Sequence, residues 1–196
     1  MKKIGVFGGS FDPVHVGHTS LALYTLANAG LDEVWLMVSP RNPLKEKGPV
    51  ASDSQRLEML RLAVQDLPGL RVSDFEFSLP VPSYSWLTLS RLRDVFPDCS
   101  FRIIIGGDNW ADFKLWKNPD LICREFGVIV YPRPLQPIPD VPKGVTVLEG
   151  APQMEVSSTE IRRLIADGSQ DSVKRLRNLL NLKVLDYITS NNLYKR

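Results

Sequence analysis

The chain has 196 residues, 43% of them hydrophobic and 23% charged, and its 24 basic and 22 acidic side chains leave a net charge of +2. At roughly 150 residues per domain, this length predicts one domain with a full-sized core, and the composition excludes a disordered or fibrous chain. The charge is too small to make nucleic acid or a membrane surface the main partner, although a local cluster can still hold an anionic ligand.

Cys99 and Cys123 form no CxxC pair, so they predict buried, reduced thiols rather than a zinc site or a disulfide framework. Met1-Lys2-Lys3 has the outline of a signal peptide, but Gly8 and Gly9 break the apolar run behind it and Asp12 closes it. No run approaches the ~20 apolar residues of a membrane span. Together these features predict a cytoplasmic protein.

Strand-like and helix-like patterns alternate from the start. Ile4–Phe7 reads as a first strand and Val16–Ala29 as a helix closed by Gly30. Glu33–Val38 is a second, buried strand, and Ser39 to Val50 is a loop rich in Pro, Gly and Lys. Ser52 with Gln55 forms a capping box, and its helix runs through Leu57, Leu60 and Val64 to Pro68-Gly69. Leu70–Ser73 predicts a third strand, and Ser85–Phe96 a helix that ends before Pro97. Phe101–Ile105 and Phe126–Tyr131 are apolar runs of the kind buried on both faces of a parallel sheet. The stretch "PRPLQPIPDVPKG" holds five of the 15 prolines and predicts a surface loop. Val145–Leu148 is a short sixth strand, and from Ser157 the remainder reads as helical, punctuated by Gly168. The alternation predicts an α/β fold: a doubly wound parallel sheet with helices on both faces and a helical C-terminal part, all one domain over residues 1–196. In such sheets ligands bind beyond the carboxyl ends of the strands.

The first strand end carries "GGSFDPVHVGH", which places both of the chain's histidines, His15 and His18, at one strand-to-helix junction. Gly8 and Gly9 remove side chains where a phosphate would approach the backbone, and Gly17 does the same between the histidines. The helix start behind them offers N–H groups and partial positive charge to an anion. His15 and His18, three residues apart, share one side of that first turn. Each can donate a ring N–H to phosphate and gain charge near neutral pH. No third ligand at helical or loop spacing accompanies them, which speaks against a metal site. The dinucleotide fingerprint G-x-G-x-x-G is absent, and no acid follows the second strand to hold a ribose.

The eleven residues of "GGSFDPVHVGH" resemble the G-G-[ST]-F-D-P-x-H-x-G-H signature of nucleotidyltransferases built on a Rossmann-like sheet. "VSSTEIRR" (Val156–Arg163) is similar to that superfamily's I-S-S-T-x-I-R element. Three further blocks narrow the resemblance to the bacterial nicotinate mononucleotide adenylyltransferases. "PSYSWLTL" resembles their S-Y-T-x-x-T-L element, and "IIIGGDNWADFKLW" their I-I-G-x-D stretch with a following Trp. "YITSNNLY" resembles their ending. Ser10 and Ser85 stand where that family often has Thr, and "NPLK" replaces its P-P-H-[KR] loop, leaving only Lys45 to face phosphate.

The resemblance implies transfer of the adenylyl group of ATP to nicotinate mononucleotide in NAD biosynthesis, with Mg²⁺ carried by ATP and no metal site on the protein. It implies His15, His18 and Arg162 as catalytic residues. Gly8, Gly9, Ser10, Phe11, Lys45, Gly106, Ser158 and Thr159 would contact ATP. Tyr84, Ser85, Asp108, Trp116 and Arg133 would contact the mononucleotide. The nucleophile is an already ionised phosphate oxygen, so alignment and charge neutralisation matter more than a base. On the residues alone, Tyr84 and Ser85 read equally as a helix cap, Trp116 also as a packing residue, and Arg133 as a solvated one. The amide mononucleotide is an alternative acceptor, whereas a sister enzyme acting on phosphopantetheine or a phosphoalcohol would share the first motif but lack the Tyr84-Ser85 and Trp116 blocks. A non-catalytic nucleotide-binding module is opposed by the intact His15, His18 and Arg162. A dehydrogenase is opposed by the missing fingerprint.

Overall fold

The computed structural model describes residues 1–40, 48–132, 138 and 141–195. Lys45 and Arg133 lie outside the described residues. The elements are β1 (Lys2–Gly9), α1 (Val16–Asn28), β2 (Glu33–Val38), α2 (Asp53–Val64), β3 (Leu70–Ser73) and α3 (Ser85–Val95). Then come β4 (Cys99–Gly106), α4 (Gly107–Ala111), α5 (Pro119–Glu125), β5 (Val128–Tyr131) and β6 (Val145–Val147). Three helices follow: α6 (Ser158–Asp167), α7 (Gln170–Leu179) and α8 (Leu182–Ser190). Two 3₁₀ turns, Phe75–Ser78 and Phe113–Leu115, interrupt the connections.

The six strands are parallel in the order β3-β2-β1-β4-β5-β6, the doubly wound Rossmann-like arrangement expected from the alternation. Side chains alternate strictly between the two faces. Val34, Leu36 and Val38 of β2 join one core with α1, α2 and the C-terminal helices, while Trp35 and Met37 join the other with α3 and α5. All five are buried, which is why β2 reads as an unbroken apolar run. Complete burial of each such side chain contributes about 1.5–3 kcal/mol.

Differences from the expected elements have local causes. β1 and β4 begin earlier, because Lys2 and Lys3 pair with Cys99 and Ser100 and a ladder needs only backbone. β5 begins at Val128, since Gly127 has a left-handed φ of +85°. α4 and α5 are too short to show a helical period, although Pro119 at the first position of α5 is a start signal. Cys99 stands half buried, not buried, and Cys123 is buried; both are free thiols. Among the described residues, no helix is long and apolar enough to cross a membrane.

The two central strands separate before they end. β1 pairs with β4 from Lys2 with Cys99 to Val6 with Ile103. Beyond that point Phe7, Gly8 and Gly9 continue beside β2, whereas Ile104, Ile105 and Gly106 continue beside β5. The sheet forks there.

The capping box at α2 is formed as expected: Ser52 Oγ accepts from Gln55 N–H (3.3 Å), and Gln55 Oε1 accepts from Ser52 N–H (2.9 Å). Ser52→Ala should therefore lower stability by about 0.5–2 kcal/mol, read as a shift in the urea midpoint at unchanged slope.

Candidate active site

A cleft of about 550 Å³ occupies the fork. One lip is Gly8, Gly9, Ser10 and Phe11 with His18. The other is built from Glu76, Ser83, Tyr84, Ser85, Asp108 and Trp116, with Gly106 on its floor. Ten of the sequence-nominated residues thus meet around one space. His15 sits directly behind His18, and Ser158, Thr159 and Arg162 stand beside the loop on α6.

The loop after β1 is held by packing as much as by glycine. Phe11 has φ +46°, a left-handed backbone that a bulky residue rarely adopts. Its buried ring holds it there, meeting Phe7 edge-on at 5.9 Å and His18 at 5.0 Å between centroids. A Cβ at Gly9 would stand 3.0–3.2 Å from three carbons of that ring. At Gly8 it would meet only Ser39 Oγ, at 3.8 Å, so open approach to the backbone belongs to Gly8. The expectation for Gly17 needs correcting. The space above it is filled by Val156 Cγ1 (2.9 Å from a built Cβ) and the His15 ring, so the position serves packing.

Asp12, inside the motif, is 4% exposed and gathers four segments of chain. Its carboxylate accepts from Val50 N–H (2.7 Å), Ala51 N–H (3.1 Å) and Tyr194 O–H (2.7 Å). Arg162 Nη1 donates to the Asp12 carbonyl at 2.5 Å and lies 3.6 Å from Oδ2. Burial first, then the hydrogen bond to Asp12, pushes the Tyr194 phenol far above its ordinary range, so it remains a donor. Arg56 plays the matching part with opposite charge. Fully buried, it donates to the carbonyls of Ser10 (2.5 Å) and Ser39 (3.0 Å) and pairs with Asp53 at 2.6 Å.

His15 is the N-cap of α1, and its backbone N–H donates to His18 Nδ1 at 3.2 Å. That bond assigns the proton of neutral His18 to Nε2, on the other side of the ring. The two imidazoles stack with centroids 3.7 Å apart.

On α6, Arg162 lies in the second helical turn, and Arg163 is exposed. Ser158 Oγ donates to Pro13 O (2.9 Å), so its proton is already committed to the loop. Thr159 Oγ1 accepts from Arg162 Nη2 (3.1 Å) and keeps its own proton for another acceptor. Ser157 Oγ caps the helix by accepting from Glu160 N–H.

Across the cleft, Tyr84 is the N-cap of α3 and makes no side-chain cap bond. The N–H groups of that first turn therefore keep their donor capacity. Lys117 Nζ lies 5.2 Å from the Tyr84 ring centroid. Trp116 packs on Phe113 at 5.2 Å, and its buried Nε1–H has no partner among the described residues. A Cβ at Gly106 would meet both the Asp108 carboxylate and Tyr131 O–H.

Comparison with known proteins accords with this geometry. The cytidylyltransferase-like family model matches residues 6–164. The "Probable nicotinate-nucleotide adenylyltransferase" of Bacteroides thetaiotaomicron is 44% identical over 188 residues, covering 95% of this chain and 90% of that protein. Its namesake in Flavobacterium johnsoniae is 39% identical, covering 99% of this chain and 100% of its own. The chain belongs to the nicotinate-nucleotide adenylyltransferases of the cytidylyltransferase-like family. In fold it is also similar to the Plasmodium falciparum nicotinic acid mononucleotide adenylyltransferase complexed with NaAD. That match has a TM-score of 0.78 at 20% identity and covers 99% of this chain and 98% of the other.

Within this adenylyltransferase chain, sequence reasoning missed Asp12, Arg56, Glu76 and Tyr194. Asp12 and Tyr194 lay inside the motifs, and the signal for Arg56 was its place on the buried stripe of α2, three and four residues before Met59 and Leu60. His18→Ala is expected to lower kcat by about 10²–10³ while leaving the thermal midpoint almost unchanged. Arg162→Lys should lose about 1 kcal/mol or more of transition-state binding, because an ammonium cannot copy the planar fork; Arg163→Ala should lose nothing. Equal damage at Arg162 and Arg163 in steady-state kinetics would contradict the placement.

Proposed function

We propose that this chain transfers the adenylyl group of ATP to nicotinate mononucleotide, giving nicotinate adenine dinucleotide and pyrophosphate. The observation that carries this reading is the two-lipped cleft. A loop and helix start suited to phosphates face a helix start and tryptophan suited to an anionic aromatic ring. The names of the bacterial relatives support the same reaction, and so does NaAD in the Plasmodium falciparum complex.

An oxygen of the mononucleotide phosphate attacks the α-phosphorus of ATP. The new P–O bond forms as the bond to the bridging oxygen breaks, and the electron pair leaves with pyrophosphate. The nucleophile is ionised at neutral pH, so the protein's work is alignment and charge neutralisation. Gly8 lets the phosphates approach the backbone, and His18 donates through Nε2–H as charge moves onto the leaving group. His15 fixes the His18 tautomer. Arg162 and Thr159 face the same phosphates, with Arg162 held in place by Asp12.

ATP enters as its magnesium salt. The Asp12 oxygens are engaged by their own donors, and no three His, Cys, Asp or Glu side chains gather among the described residues. The ion on this reading takes its ligands from triphosphate oxygens and water. Residues 1–196 act as one domain, a reading supported by the bond from Tyr194 back to Asp12.

On the acceptor lip, a pyridine carboxylate accepts from the N–H groups at the start of α3, Asp108 accepts from a ribose hydroxyl, and Trp116 stacks on the ring. An amide would replace one acceptor with an NH₂ donor facing another donor. Each buried group so left unsatisfied costs roughly 1–3 kcal/mol, enough for about tenfold to hundredfold discrimination. The deciding measurement is kcat/KM for each mononucleotide at saturating ATP and Mg²⁺, with products identified by mass. The acid should be preferred, and Trp116→Ala should weaken both mononucleotides alike. Equal values or an amide preference would overturn the specificity, and no dinucleotide product would overturn the reaction.

A further inference from the structure

Glu76 has no part in the chemistry above, yet it is a carboxylate only 7% exposed on the wall of the cleft. Burying such a charge is costly unless hydrogen bonds satisfy it. Two hydroxyls do so: Ser83 donates to Oε2 at 3.1 Å and Thr88 to Oε1 at 2.9 Å. These donors bracket the start of α3, Ser83 just before the N-cap Tyr84 and Thr88 one turn inside. Both ends of that first turn are pinned to one carboxylate.

Four of the seven other described helices show the alternative that α3, like α4 and α5, does without. Helices α2, α6, α7 and α8 start in the ordinary way, with Ser52, Ser157, Ser169 or Asn181 accepting from a first-turn N–H. α3 has serines at hand on both sides of Tyr84 and uses neither as a cap. The Ser83 hydroxyl turns to Glu76 instead. An ordinary cap would occupy an N–H that a ligand could otherwise use. Bracing through side-chain hydroxyls holds the turn without touching its N–H groups.

We propose that Glu76 is a positioning residue that fixes the first turn of α3 through Ser83 and Thr88, keeping its N–H donors aimed at the carboxylate of the acceptor nucleotide. This rests on the acceptor reading above. The brace needs hydrogen bonds more than charge. A Gln at position 76 can accept from Ser83 and donate to Thr88, whose hydroxyl already has a second acceptor in Tyr84 O at 3.3 Å.

The test uses the whole protein and begins with wild-type turnover of nicotinate mononucleotide with ATP. If that fails, the acceptor reading fails and not the brace in particular. With turnover established, Glu76→Ala should raise KM for nicotinate mononucleotide about tenfold or more, leave KM for ATP within about twofold, and shrink the acid-over-amide ratio. Glu76→Gln should restore the mononucleotide KM to within about threefold of wild type. Thr88→Val should raise the same KM in the wild-type background and add nothing in Glu76→Ala, because the two act through one bond. Should Glu76→Ala not fold, the Ser83→Ala/Thr88→Val double variant carries the same expectation. Equal rises in both KM values, full additivity with Thr88→Val, or Glu76→Gln as damaged as Glu76→Ala would each overturn the brace.

Discussion

Beyond Val6 and Ile103 the two central strands part, each continuing along its outer neighbour. Parallel strands joined by crossovers wind in opposite senses from this point, so no helix can lie across it. The parting leaves two strand ends, two loops and two helix starts converging on one crevice. Everything described at the cleft follows from that. Gly8 and Phe11 are carried on one tine and Gly106 and Asp108 on the other, and their spacing is set by backbone ladders rather than by flexible side chains.

A fork made of loops must be prevented from collapsing, and buried charges do this here. Asp12 and Arg56 are both almost without solvent contact, and each ties segments distant in sequence. Removing the partners of either is costly because its charge stays buried. The arrangement also separates duties. The Ser158 hydroxyl donates to the loop, the Ser157 hydroxyl caps α6, and the bare Gly17 makes room for Val156 and the His15 ring. Glu76 extends the same logic to the opposite lip.

The fold was legible because the strands of a doubly wound sheet are buried on both faces, and continuous apolar runs such as Glu33–Val38 have little else to be. α4 and α5 escaped notice because five and seven residues cannot display a helical period. At the site, what was legible is what is contiguous: the motif loop, and Tyr84 with Ser85. Asp12 and Tyr194 were hidden since their side-chain partners lie 38 to 182 positions away, a relation no local pattern encodes, and Arg56 reaches Ser10 across 46. At Gly9 and Gly17 the missing side chain has a packing reason. A glycine beside a ligand loop suggests room for ligand, yet here a phenylalanine ring and a valine fill the room.

The bond between Asp12 and Tyr194 spans 182 positions. On a ribosome adding roughly 5–20 residues per second, about 10–40 seconds separate the two residues. Throughout that interval the nascent chain can lay down β1, β2 and β4 and open the crevice, but the aspartate that orders the loop after β1 lacks its phenol. The segment from α6 onward brings both Arg162 and Tyr194 to it. The loop after β1 is therefore completed only when residues 150 and 182 positions further along have been added.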